Sequence, residues 1–441
     1  MTLAAGPAVD LLLTGGALLA RAGAEPVASS YLAVAGGRIL AAGPLAELPP
    51  DFRQRARRQL DVTGKLLMPG LVNGHCHAAM TLFRGMADDL PLLTWLREHI
   101  FPAEARHVRP EMVYWCSRLA AAEMLLSGTT LVADGYFFEG DAARAFAECG
   151  IRAVAAQGVI DFPAPGVDDP SRNLLVARAH LDRWAGHDPL VTPAVFCHSP
   201  YTCSAATITA SRALARSYGV PWCIHLAETA DEAATCRQEH GVSPVRYLAG
   251  LGVLDPGAVC VHCVHLDAED IAVMRESGAG VISCPESNMK LASGTAHLAA
   301  MAGMPVGLGT DGAASNNDLD MFGEMGSCAR LHKVVGGDPA VMPAAAVLAM
   351  ATTGGAAVFG MDGILGTLAP GYLADFLVID LDRPHLTPWH GPDLLVYAAR
   401  GSDVEAVYVG GRAVVENRRL VTIDLGETMA RVRELAREVK R

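Results

Sequence analysis

The chain has 441 residues, of which 51% are apolar and 19% charged, and its formal net charge is -12. That is enough apolar matter for one large α/β domain plus a smaller one, and it excludes a disordered chain. The acidic balance argues against a nucleic-acid partner, and no apolar run reaches the roughly 18 residues of a membrane span. Residues 1–19 are mildly apolar but lack a basic start and carry Asp10, so they read as a strand of the fold and not as a signal peptide. The eleven cysteines lie mostly in apolar runs, as at Cys197, Cys223 and Cys284, and are expected to be small core residues of a reduced, cytoplasmic protein.

Residues 9–44 read as short strands at 10–14, 31–34 and 38–41, with Gly36-Gly37 as a hairpin turn. Residues 45–60 are polar and are predicted to connect to a strand at 65–68. From about residue 67 the rhythm changes, and helical patterns alternate with short apolar runs. Helices are predicted at 91–99, 110–127, 140–149, 172–185, 205–218, 230–238, 243–250, 267–277 and 343–358. Strand-like runs fall at 66–72, 130–133, 152–156, 190–195, 221–225, 258–262, 280–283 and 305–308. Eight β/α repeats predict a closed (β/α)8 TIM-type barrel over 66–365, with chemistry at the C-terminal ends of the strands. After 365 strands return, with a hairpin at 405–409 and 412–415 and an amphipathic helix at 425–441. Segments 1–65 and 366–441 are expected to pair into one composite β-sandwich.

The polar residues that follow the apolar runs carry the candidate chemistry. His75 and His77 end the first run and, two apart on a strand, face the same way. His198, His225 and His262 end later runs, Glu228 follows His225 by three, and Asp311 ends the last. Taken singly, each has a structural explanation, as a core histidine or a helix cap. A barrel brings them to one mouth. Three neutral imidazoles and a carboxylate there would leave a metal one open position for water, whose pKa the metal lowers toward about 7. Glu228 is placed to take the water proton and hand it to a substrate, Asp311 to accept the last one, and His262 to donate a hydrogen bond to the attacking oxygen or the developing charge.

His75-Cys-His77, His225-Leu-Ala-Glu228, His262 and Gly309-Thr-Asp311-Gly resemble the amidohydrolase superfamily, in its mononuclear deaminase branch. No lysine stands where binuclear members carry a bridging lysine, which implies one metal. Met80 to Leu90, Trp95-Leu96, Phe101-Pro-Ala-Glu104, His198-Ser-Pro-Tyr201 and Asp311 to Asn317 narrow the resemblance to the 5-methylthioadenosine/S-adenosylhomocysteine deaminase family. That resemblance implies Zn2+, or Fe2+, held by His75, His77, His225 and Asp311. It gives Glu228 as the proton shuttle to ring nitrogen N1, Glu104 on the ribose hydroxyls and His198 on the purine. A carboxylate suits a diol because it accepts two hydrogen bonds. Phe83, Met86 and Trp95 are expected either to line an apolar methylthio subsite or to pack in the core.

Relatives use arginines beyond the third strand for the amino-acid carboxylate of S-adenosylhomocysteine. Here Arg152 lies within a strand, Gln157 follows it and Arg172 sits in a polar loop, which favours a neutral-tailed substrate. The expected activity is hydrolytic deamination of an adenine nucleoside at C6. The alternatives are another aminohydrolase or chlorohydrolase of this branch, acting on guanine, cytosine or an s-triazine, or an inactive metal-binding assembly protein. A small-molecule nucleoside is the expected partner, with a homodimer or homotetramer as the assembly.

Overall fold

The computed structural model describes residues 8–439, so positions 1–7 and 440–441 of the predicted terminal elements lie outside the described residues. Its centre is a sheet of eight parallel strands. These are β1 (Leu71–Cys76), β2 (Thr129–Tyr136), β3 (Arg152–Val159), β4 (Val191–Cys197), β5 (Trp222–Leu226), β6 (Ala258–His262), β7 (Gly280–Ser283) and β8 (Val306–Leu308). Each pairs with the next in chain order. Nearly every strand residue is buried, because side chains fill the barrel on one face and meet the helices on the other.

The ring closes between β8 and β1 just where the site begins. Asp311 N donates to His75 O at 3.0 Å, and Thr310 N donates to Asn73 Oδ1 at 3.0 Å. The Asn73 amide returns a hydrogen bond to Thr310 Oγ1 at 2.7 Å. Gly309 makes this approach possible, since a Cβ there would stand 2.6 Å from His75 N.

The apolar run at 66–72 is two strands, not one. Lys65–Pro69 belongs to a terminal sheet, where it pairs antiparallel with Phe376–Asp380. The chain crosses at Gly70 into β1; a Cβ at Gly70 would collide with the Thr130 side chain. That six-stranded sheet mixes both ends of the chain, and a four-stranded sheet is wholly N-terminal. Leu11, Leu32 and Val34 of one sheet share a core with Leu67, Phe376 and Tyr408 of the other.

Several elements differ from the sequence expectation. Ala56–Asp61 is an edge strand of the four-stranded sheet, pairing parallel with Val9–Thr14. Its Arg57, Arg58 and Gln59 are exposed, so it carries no apolar alternation. The helix Met321–Gly336 was not predicted, because Gly323 and Gly326 depress its helical signal. The short helix Pro285–Lys290 was too brief to show a period. The helix predicted at 91–99 continues to His107: a π-helical turn, Trp95–Ile100, leads directly into Phe101–His107 despite Pro102. Among the described residues no helix is long and apolar enough to cross a membrane.

Candidate active site

Four strand ends converge on one cluster. His75 lies one residue from the end of β1 and His77 just beyond it; His225 lies in β5, His262 closes β6 and Asp311 follows β8. His75 Nε2 lies 3.3 Å from His225 Nε2 and 3.4 Å from Asp311 Oδ1, while His77 Nε2 is 3.5 Å from the same oxygen. Metal bonds of about 2.0–2.1 Å in a tetrahedron give ligand–ligand edges of roughly 3.3–3.4 Å, so the spacing fits a zinc-sized ion. The donor chemistry fits as well. Burial lowers the His75 imidazole to about 4 and holds His225 well below its ordinary value, which keeps both neutral. His77 Nδ1 donates to Gly135 O at 2.6 Å, leaving the Nε2 lone pair free to face the cluster.

Burial works to raise the Asp311 carboxyl, but the hydrogen bond from His75 and the surrounding imidazoles outweigh it and hold the group well below the usual range. Its Oδ1 faces the histidines and accepts from Gly312 N at 2.8 Å; Oδ2 accepts from Ser287 Oγ at 2.7 Å. Asp311 and His262 both sit at positive φ, 61° and 71°, as does Ala227 at 50° beside Glu228. Such backbone costs on the order of 1–3 kcal/mol per residue and turns these side chains inward from the strand ends.

Glu228 is 5% exposed, and its Oε2 lies 3.8 Å from His262 Nε2. Burial and the Asp311 charge raise its carboxyl to about 8. Its backbone is pinned by Glu232, whose carboxylate accepts from Ala227 N and Glu228 N at 2.8 Å each. Glu232 was absent from the sequence reading, although Thr229-x-x-Glu232 has the form of a helix capping box. His262 Nδ1 donates to Asn288 Oδ1 at 3.0 Å. That contact fixes the ring with Nε2 turned toward Glu228. Ser287 and Asn288, from the unpredicted helix Pro285–Lys290, therefore orient Asp311 and His262.

A cavity of about 980 Å³, counted out to its open mouth, spreads from this cluster. His198, Glu104 and Trp95 all line it, as do Glu228, His262 and Asp311. His198 Nδ1 lies 2.9 Å from Thr202 Oγ1, and its ring is 5.1 Å from that of His225. Glu104 reaches in from the helix Phe101–His107 and accepts a 2.6 Å hydrogen bond from Tyr136 Oη at the end of β2. Tyr136 was also missed, though its place at a strand's C-terminal end is the same signal that marked the histidines. Of the apolar trio, only Trp95 lines the cavity. Phe83 is buried in the core and Met86 faces solvent at 37% exposure; Leu92, Leu96, Phe101 and Phe162 supply the apolar wall. Arg152 is far from this mouth, at the start of β3, where it forms a two-point ion pair with Asp375 at 3.0 Å. Gln157 Oε1 accepts from Glu139 N, and Arg172 is exposed.

A closed parallel barrel with clustered histidines and a carboxylate at its strand ends defines a metal-dependent hydrolase. Residues 66–414 match the model of the amidohydrolase family, and the chain belongs to that family. It is 47% identical to the 5-methylthioadenosine/S-adenosylhomocysteine deaminase of Syntrophobacter fumaroxidans over 98% of both chains. A relative of the same name from Symbiobacterium thermophilum is 44% identical over 98% of this chain and 99% of its own. Among solved structures, a zinc-bound adenosine deaminase from Xanthomonas campestris superposes with a TM-score of 0.94 at 36% identity, covering 98% of this chain and 99% of its own. A zinc-complexed atrazine chlorohydrolase from Arthrobacter aurescens superposes at 0.87 with 23% identity, covering 97% of this chain and 100% of its own, and shares the fold.

Proposed function

We propose that this enzyme hydrolyses the C6 amino group of adenine nucleosides, converting 5-methylthioadenosine to 5-methylthioinosine and ammonia. The observation that carries the reading is a single cavity holding the metal-ligand cluster and Glu228 at one end and the Glu104–Tyr136 pair on its wall. A base alone needs only the first; a nucleoside uses both. The relatives' names and the zinc of the Xanthomonas campestris structure support the same substrate class and the same metal.

His75, His77, His225 and Asp311 are the residues that would hold Zn2+. Bound there, the metal supplies a water of lowered pKa at neutral pH. Glu228 takes the first proton of that water and delivers it to ring nitrogen N1 as the oxygen adds to C6. Its buried site suits the second half of this task, since burial favours the protonated form and so holds the proton on the carboxyl, once taken, until it passes to N1. Asp311 takes the second proton as the carbonyl forms, and the amino group leaves with that proton as ammonia. His262, held by Asn288, hydrogen-bonds the attacking oxygen. His198 meets the purine, and Glu104 accepts from the ribose hydroxyls.

Ammonia release from 5-methylthioadenosine, S-adenosylhomocysteine, adenosine, guanine and cytosine tests this reading. Turnover of nucleosides with none of the free bases is expected. Faster turnover of guanine or cytosine, or an unchanged kcat/KM for 5-methylthioadenosine in Glu104→Ala, would overturn it.

A further inference from the structure

The substrate cavity does not end at Glu104. Leu96, Phe101, Phe162 and Tyr201 line both it and an outer cavity toward solvent. The outer cavity contains two charged residues, Arg97 and Asp161. Asp161 is already engaged, accepting from Ser204 N and from Thr207 Oγ1 at 2.7 Å each. Arg97 is exposed and, among the described residues, has neither an ion pair nor a hydrogen bond. A guanidinium has five donors in a fixed fork that matches a carboxylate.

The covering helix sets the distance. Leu92, Leu96 and Glu104 line the inner cavity, while Leu93 and Arg97 line the outer one. Arg97 precedes Glu104 by seven residues, which at helical rise separates them by roughly 10 Å along the helix, and its side chain lines the outer cavity. Its turn is the π-helical one, Trp95–Ile100, an irregularity that often marks functional sites. A ribose whose hydroxyls meet Glu104 would direct a 5′ substituent along this helix. An extended α-amino-acid thioether spans a comparable length and carries both charges. Its carboxylate would meet Arg97, and its ammonium the acidic wall at Asp161.

We infer that Arg97 is a specificity-determining residue, receiving the carboxylate of a 5′ amino-acid thioether such as that of S-adenosylhomocysteine. The inference rests on the nucleoside deaminase reading. It replaces the sequence expectation of a neutral tail, because the cation comes from the covering helix and not from loops beyond β3.

The test compares kcat/KM for S-adenosylhomocysteine with that for 5-methylthioadenosine in the metal-loaded enzyme and in Arg97→Gln, Arg97→Glu and Arg97→Lys. The ratio is expected to fall about threefold to tenfold in Arg97→Gln, through KM, and further in Arg97→Glu, with partial recovery in Arg97→Lys. An unmoved ratio in both Gln and Glu variants overturns the inference, as does a wild type that deaminates only 5-methylthioadenosine. A wild type that releases ammonia from neither substrate overturns the deaminase reading and this inference together.

Discussion

Glu104 shows how one buried carboxyl ties sequence position to solution behaviour. Burial raises its carboxyl to about 7 from the usual 4.5, against the lowering effect of the Tyr136 hydrogen bond. The ionised form is the better acceptor for two ribose hydroxyls. KM for 5-methylthioadenosine is therefore expected to fall as pH rises through about 7, and Glu104→Gln should flatten that dependence; steady-state kinetics between pH 6 and 8 checks it. The same group works against the fold at higher pH. Its folded value exceeds its unfolded one, so its contribution to stability is present below about 4.5 and is lost as pH rises through about 7. Which residues could be recognised in the sequence follows from where they sit. His75, His225, His262 and Asp311 each stand at the end of an apolar run, where a barrel needs no polar group. Ser287 and Asn288 lie in the six-residue helix Pro285–Lys290, whose sequence has no period to locate it. Tyr136 ends its strand as visibly as the histidines do, but an aromatic there also reads as core.

At the scale of elements, the strands of the barrel were legible because each is buried on both faces and reads as an apolar run. The edge strand Ala56–Asp61 was not, since its pairing rests on backbone hydrogen bonds and its side chains face solvent. Arg152 shows how barrel and terminal sheet are joined. It pairs with Asp375, whose Oδ1 also accepts from Gly410 N at 2.7 Å. Removing the cation leaves a 4%-exposed carboxylate without its partner charge. Arg152→Met is expected to destabilise the protein by about 3–5 kcal/mol in denaturant unfolding, with kcat at 25 °C retained. The seam between β8 and β1 is as sensitive. Gly309→Ala would press a methyl against the His75 backbone, and the expected result is a lower Tm together with weaker metal retention, read by thermal unfolding and metal analysis.

Across the whole molecule, the metal cluster is built from residues more than two hundred positions apart in sequence, and only closure of the ring brings them together. Folding and metal binding are thus linked. Chelation is expected to lower Tm and abolish ammonia release, and Zn2+ to restore both; an ion held at one hundred times its Kd would contribute about 2.7 kcal/mol. In the proposed mechanism Glu228 moves the proton to N1 while four other side chains hold the metal. Ammonia release from 5-methylthioadenosine by Glu228→Gln, measured alongside its metal content, separates the two roles. The predicted result is full metal occupancy with kcat lowered by at least about a hundredfold. A variant that keeps its metal and turns over at a near wild-type rate would contradict it.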